Sequence, residues 1–413
     1  MGDSNVLLTD ELELEAPPLT PAETSEMLTD AEPRKQSKKT STYRPDIDGL
    51  RAVAVVPVVV FHAYPSAFPG GFVGVDVFFV ISGFLISRIL FHEQSSGTFS
   101  YARFYTRRVR RLFPALLLVL ATTLGLGCYF FLTRKLQALA ATLLAGSLFG
   151  ANLQILALER DYFDLDTKTN PLLHLWSLGV EEQFYLFWPF VAAMAMKLRL
   201  NRSILLQLTI LAISFTLNLA LLGVGGNNKM SFYLPFPRFW QMALGGLLAY
   251  YAHRTPSTQQ TNDDDDAPKD DDIEAFATPG RSCLCSLLGA ALLVLAYASI
   301  DESCAFPGFW ATLPSTAALF LLAAGPDAVV NTYVLSQPIF VYIGKISYCW
   351  YLWHWPLLVF AADAYPLDNA RPAYLTPMAI VCFSAIASVA THEGLEKGLR
   401  RRKAAWITPL LVV

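Results

Sequence analysis

Apolar runs long enough to cross a bilayer recur along this chain, and they leave it few ways to fold. A helix needs about 20 mostly apolar residues to span the hydrocarbon layer, where its backbone polar groups must be bonded internally. Candidate spans cover residues 50–64, 74–91, 113–132, 173–196, 204–224, 239–251, 283–300, 313–325, 346–362 and 375–395. Composition agrees: 54% of the chain is hydrophobic and only 16% charged, where soluble chains carry about 25% charged residues. The expected fold is all-α, a polytopic transmembrane helix bundle of about ten spans.

Charge sets the topology. Basic clusters lie at 34–39, 103–111, 197–202, 253–254 with Arg281, and 400–403. Positively charged loops stay on the cytosolic side. With ten spans, every cluster and both termini face the cytosol. The amphipathic stretch 135–158 is either an eleventh span or a helix lying on the surface; as a span it would turn 197–202 outward. Ten spans is the preferred count, and Asn201-Arg202-Ser203, a glycosylation sequon by pattern, then stays away from the lumen.

Residues 1–42 have no apolar leader and read as a disordered cytosolic tail. Val6 stands where myristoylation needs Ser or Thr. Residues 43–403 form the membrane domain, and 404–413 a short C-terminal tail. Within the domain, 255–280 carries Asp263–Asp266 and Asp270–Asp272. It reads as an acidic disordered cytosolic loop, because the ligand spacing of a calcium loop is absent. The six cysteines (Cys128, Cys283, Cys285, Cys304, Cys349 and Cys382) form no C-x-x-C pair. They are expected as buried small hydrophobes, with no metal implied. A net charge of −3 without a basic, aromatic tract argues against nucleic acid.

Ionisable groups inside spans are costly and mark function. Asp48 and Arg51 open the first span one turn apart, in position to pair. His62 follows Arg51 by eleven residues, three turns and about 16 Å of rise, on nearly the same face. Imidazole is suited to take a proton from a hydroxyl near neutral pH; the plainer role is a core histidine bonded to a carbonyl. In Gly70–Leu85, Asp76 enters the second span, either as an active group or bonded to the first span. Arg108 and Arg111 in Arg107–Pro114 can converge on one anion or hold lipid headgroups. In His174–Tyr185, with Ser177, His174 and Glu181 lie two turns apart on one face. Glu181 or Glu182 must point inward, to orient a histidine or to join helices. In Gly344–Pro356, His354 is a further candidate, and Trp350, Trp353 and Trp355 read as an interface belt.

Together these blocks resemble the acyltransferase-3 family, the membrane acyltransferases typified by bacterial O-antigen acetylases. The resemblance rests on Tyr43–Ala52 with Phe61-His62-Ala63, on Gly74–Phe84, on Arg-Arg-x-x-Arg-x-x-Pro, and on His174–Tyr185. Pro237-Arg238-Phe239-Trp240 and Gly344–Pro356 complete it, from Tyr43 to about Arg400. The resemblance implies a ten-span core passing acyl groups, often acetyl from acetyl-CoA, to carbohydrate hydroxyls on the far side of the membrane. It makes His62 the essential histidine, Arg51 the arginine before it, Arg108 and Arg111 the acyl-donor pair, and Glu181 the more constant glutamate. In the family's Glu-x-Pro-x-Arg ending, this chain has Gly398 for proline. Many relatives also carry a C-terminal hydrolase-like domain, which is not expected here.

The expected function is a membrane O-acyltransferase. Acyl-CoA is its co-substrate and no cofactor is bound. His62 acts as base or transient acyl carrier. Arg51, Glu181 and Asp76 complete the catalytic set, and Asp48, His174, Ser177, Glu182 and His354 support it. The partners are acyl-CoA, a hydroxyl acceptor such as carbohydrate, and the bilayer, in the plasma membrane or secretory pathway. The rival class is a transporter or lipid-binding scaffold, which would show internal repeats; none stands out.

Overall fold

The computed structural model describes residues 43–158, 167–254, 279–366 and 371–398. The proposed tail 1–42, residues 255–278 of the acidic loop and the end 404–413 lie outside the described residues. Among the described residues every regular element is helical. The main helices are α1 (Pro45–Ala63), α2 (Gly74–Ser95), α3 (Tyr101–Phe130), α4 (Thr133–Ser147), α5 (Ala151–Leu158), α6 (Leu175–Lys197) and α7 (Leu200–Ala220). After the short α8 (Lys229–Tyr233) come α9 (Phe239–Arg254), α10 (Pro279–Ser299), α11 (Thr312–Ala324), α12 (Pro338–Ala364) and α13 (Pro377–Thr391). A π-turn, His392–Glu396, continues α13.

Five of the described helical stretches are long and apolar enough to cross a membrane: Pro69–Ser95, Tyr101–Phe130, Leu200–Ala220, Gly280–Ser299 and Pro377–Glu396. The helices α1, α6 and α12 have 19, 23 and 27 residues, enough for about 30 Å of hydrocarbon when tilts and turns are included. They fall outside that group because they carry polar and charged residues. Those same residues are turned inward: Asp46, His174, Ser177, Ser347 and His354 are buried. The most lipid-like helices are the peripheral ones, with exposed Leu205 and Ile213 on α7, Leu284 and Val294 on α10, and Phe383 and Ile386 on α13.

Residues 133–158 do not form one long helix. They break into α4 and α5 where Phe149 adopts a left-handed φ of 56° beside Gly150. The 15 residues of α4 rise about 22 Å and the 8 of α5 about 12 Å, so neither piece crosses unaided.

Two close crossings fix the core. Helix α12 packs along α1, and a Cβ on Gly344 would fall 1.8 Å from the Asp48 carbonyl oxygen. Helix α9 packs along α2, where a Cβ on Gly83 would fall 1.9 Å from the Met242 carbonyl. Small residues let membrane helices approach this closely, and dispersion and weak polar contacts then hold them. The first crossing places His62 beside His354.

Between α2 and α9, Asp76 meets Arg238 at 3.0 Å, both side chains being buried. The Asp76 carboxylate also accepts from Gln241 Nε2 at 2.5 Å. Rings of Phe79, Trp176, Phe232 and Phe306 surround the guanidinium at 5.4–5.8 Å. Asp76 thus bonds to α9 and its entry turn, where the sequence suggested the first span.

Two expectations change. Of the cysteines only Cys349 is buried; Cys128 and Cys382 are exposed on spanning helices, and none forms a disulfide. The tryptophans of α12 are not a loose interface belt. Trp350 donates to Ser384, Trp353 to Thr391, and Trp355 to the Asn170 carbonyl, each at 2.9 Å. These bonds lash α12 to α13 and to the entry of α6.

Candidate functional site

His62 stands on the last turn of α1 and His354 nearly three turns before the end of α12. Nδ1 of His62 lies 2.9 Å from Nε2 of His354. Nδ1 of His354 lies 3.1 Å from the Trp350 carbonyl one turn earlier. A carbonyl can only accept, so His354 Nδ1 carries the proton. In the neutral ring Nε2 is then an acceptor. It receives Nδ1–H of His62, and Nε2 of His62 is left with its lone pair. The tautomers follow from this chain of bonds alone. Trp355 packs on the His62 ring with centroids 4.7 Å apart. The two rings are tilted by 56°.

His174, the residue before α6, is buried with its ring centroid 5.7 Å from that of His354. Its carbonyl accepts from Tyr351 Oη at 2.8 Å. Tyr351 Oη also lies 2.6 Å from Ser177 Oγ. Ser177, Tyr351 and His174 form a polar layer just below the histidine pair.

Beneath that layer opens a cleft between α1, α2, α3, α6 and α12. Arg51, Arg108 and Arg111 line one end, and Ser177 and Tyr351 the other. Phe78, Leu85 and Ile89 give it an apolar flank. From Arg51 to His62 the helix rises about 16 Å, so the arginines and the histidine pair lie at different depths along α1.

The arginines are not equivalent. Arg108 is bound by Glu182 through two hydrogen bonds, one of 3.0 Å from Nε to Oε2 and a second from Nη2 to Oε1. Its guanidinium carbon sits 3.7 Å over the Tyr185 ring. Arg51 pairs with Asp48 at 3.6 Å, as their spacing suggested. Among the described residues Arg111 makes no hydrogen bond or close ion pair. It is the cation most available to an incoming anion.

Glu181 accepts from Ser82 Oγ at 2.7 Å and from Tyr185 Oη at 2.6 Å and lines the cleft. Among the described residues no carboxylate hydrogen-bonds to His62; its partner is a second histidine. The structure therefore groups His62, His354 and His174 close to Ser177, which lines the cleft; the three histidines themselves are not among its lining residues. It gathers Arg51, Asp48, Arg108, Arg111, Glu181 and Glu182 along or around the cleft. Asp76 stands apart with Arg238. Sequence reasoning missed Tyr351, Trp355 and Arg238. The Trp353-His354-Trp355 run held the signal for Trp355, since adjacent residues on a crossing helix flank the same neighbour.

Comparison with known proteins shows which family the chain resembles. A family model described as an acyltransferase domain matches residues 44–391. The O-acetyltransferase OatA of Staphylococcus aureus (strain NCTC 8325 / PS 47) is 28% identical over 370 residues, covering 87% of this chain and 58% of that protein. A protein of strain MSSA476, named only provisionally as an O-acetyltransferase, is 30% identical over 345 residues, covering 82% of this chain and 54% of its own length. The chain thus spans little more than half the length of these relatives. No solved structure matches.

Proposed function

This chain belongs to the acyltransferase-3 family, and on that premise we propose that it is a membrane O-acyltransferase. The group moved is acetyl or a related acyl, from cytosolic acyl-CoA to a hydroxyl, such as that of a carbohydrate, on the outer or lumenal side. The observation that carries this reading is the buried His62–His354 bond next to a cleft lined by Arg51, Arg108 and Arg111. The named function of the staphylococcal relatives supports acetyl as the group and oxygen as its destination.

The donor phosphates would meet Arg111, with Arg51 and the paired Arg108 beside it; arginine favours such contacts. The acyl-pantetheine arm would lie along Phe78, Leu85 and Ile89. Nε2 of His62 offers a lone pair toward the reacting carbon. Acting as base, it takes the acceptor's O–H proton as that oxygen attacks the thioester carbonyl; the C–S bond breaks, and the proton passes to the departing sulfur. Acting as carrier, it attacks the carbonyl itself, expels the thiolate, and later yields the acyl group to the hydroxyl. Either way His62 gains positive character, and Nδ1–H remains bonded to His354. His354 is a positioning residue: it sets the tautomer, much as a carboxylate does in a hydrolytic triad.

In this topology both termini are cytosolic, ten segments cross, and 135–158 does not cross. The test is transfer of labelled acetyl from acetyl-CoA to glycans on the far side of vesicles containing the protein. His62→Ala should abolish transfer while its elution as a folded species is unchanged; undiminished transfer would reject the assignment. A transporter or scaffold would move no label covalently.

A further inference from the structure

On α12, Cys349 precedes His354 by five residues, about 7.5 Å of rise toward the cationic end. There it meets the π-turn that follows α13. Cys349 Sγ lies 3.5 Å from Glu396 Oε2, and His392 Nδ1 lies 2.9 Å from the same oxygen. The three side chains are buried, and their donor atoms lie within 4.8 Å of one another. We propose that Cys349, His392 and Glu396 form a zinc site joining α12 to the last helix.

The donor chemistry favours this reading. Thiolate, imidazole and carboxylate are the ligand types of zinc, bound at about 2.3 Å for sulfur and about 2.0–2.2 Å for nitrogen and oxygen. At tetrahedral angles such bonds set sulfur and oxygen about 3.6 Å apart, and nitrogen and oxygen about 3.4 Å apart. The distances present, 3.5 and 2.9 Å, need shifts of half an ångström or less. His392 and Glu396 are four residues apart on one helical face, a spacing that presents two ligands to one ion. The π-turn that carries them is a rare geometry found often at functional positions.

Charge agrees as well. A thiol is a weak donor, so Cys349 adds little to the bond that His392 already gives the Glu396 carboxylate. Zinc would bind with loss of the Cys349 thiol proton to solvent, while His392 gives its Nδ1 lone pair and keeps a proton on Nε2. One thiolate and one carboxylate then neutralise the two charges of the ion, which lets it sit near Arg51 and Arg111. Three protein ligands leave a fourth position for water, so the site would exchange metal more readily than a closed four-ligand site. This placement is separate from the acyl-transfer reading and stands or falls alone.

The test uses the full chain, purified in detergent through a tag without histidines, incubated with zinc chloride and passed through a desalting column. Elemental analysis should find about one zinc per chain, and Cys349→Ser or His392→Gln should reduce it to background without changing the elution profile. Cobalt(II) in place of zinc should give a thiolate-to-metal charge-transfer band that Cys349→Ser removes. Background zinc in the reloaded wild type would overturn the proposal, as would wild-type zinc content in both variants. Should neither variant fold, the wild-type cobalt spectrum decides: its charge-transfer band supports the site, and a spectrum without one rejects it.

Discussion

His62 on α1 and His354 on α12 share one hydrogen bond of 2.9 Å, and a main-chain carbonyl behind His354 sets its direction. Two residues nearly 300 positions apart thereby act as one unit. Residues that act as a unit show non-additive losses.

Removal of His354 should therefore cost about 10²- to 10⁴-fold in kcat, the usual range for one positioned proton-transfer partner. The double variant His62→Ala/His354→Ala should be no slower than His62→Ala alone. His354→Gln, whose amide oxygen can still accept Nδ1–H of His62, should recover part of the loss seen in His354→Ala. Steady-state rates of the four proteins check this.

Arg111 and Arg108 should separate by readout. Arg111→Ala removes an unpaired cation from the cleft, so the KM for acyl-CoA should rise about 10- to 100-fold, the worth of one or two kcal/mol-scale charged bonds. Its thermal stability should hardly move. The matching test is the KM for an acylated pantetheine without the nucleotide, which should not change.

Glu182→Ala should act on stability first. It strips Arg108 of its bidentate partner; the Arg108 and Glu182 side chains are only 14% and 10% exposed. Breaking a buried pair from one side costs about 3–5 kcal/mol. Melting in detergent should drop by several degrees or more, and exchanging the two residues should restore part of it.

Asp76→Ala should behave as a folding variant. Its carboxylate neutralises Arg238, which is wholly buried among aromatic rings. The expected result is a poor yield of folded protein, with the surviving fraction near normal in kcat. Active-site titration with labelled acyl-CoA separates that outcome from loss of a catalytic group.

Gly344→Ala tests the helix crossing that makes the histidine pair. The added methyl would meet the Asp48 carbonyl, and overpacking of this kind costs about 1–3 kcal/mol. Activity should fall further than stability predicts, because α1 and α12 must part and the 2.9 Å bond lengthens.

The all-helical, membrane-spanning character was legible in the sequence because apolar length reports the bilayer directly. The pairing of Asp48 with Arg51, one turn apart, was equally local. What could not be read was which distant helix each polar group meets. His354 sat among three tryptophans that resembled an interface belt, yet their indole N–H groups are bonded inward. The inward carboxylate of α6 looked suited to orient His62, whereas Glu181 is held by Ser82 and Tyr185. Arg108 and Arg111 matched as a pair in sequence, but Glu182, one residue past Glu181, takes only the first. Each of these turns on rotation about a helix axis, which packing decides and spacing leaves open.

The central claim is that His62 performs the acyl chemistry, and release of free CoA from acetyl-CoA without acceptor tests it most directly. The purified wild-type protein should release the thiol slowly but measurably, His354→Ala more slowly, and His62→Ala no faster than buffer. Thiol release by His62→Ala at the wild-type rate would contradict the account.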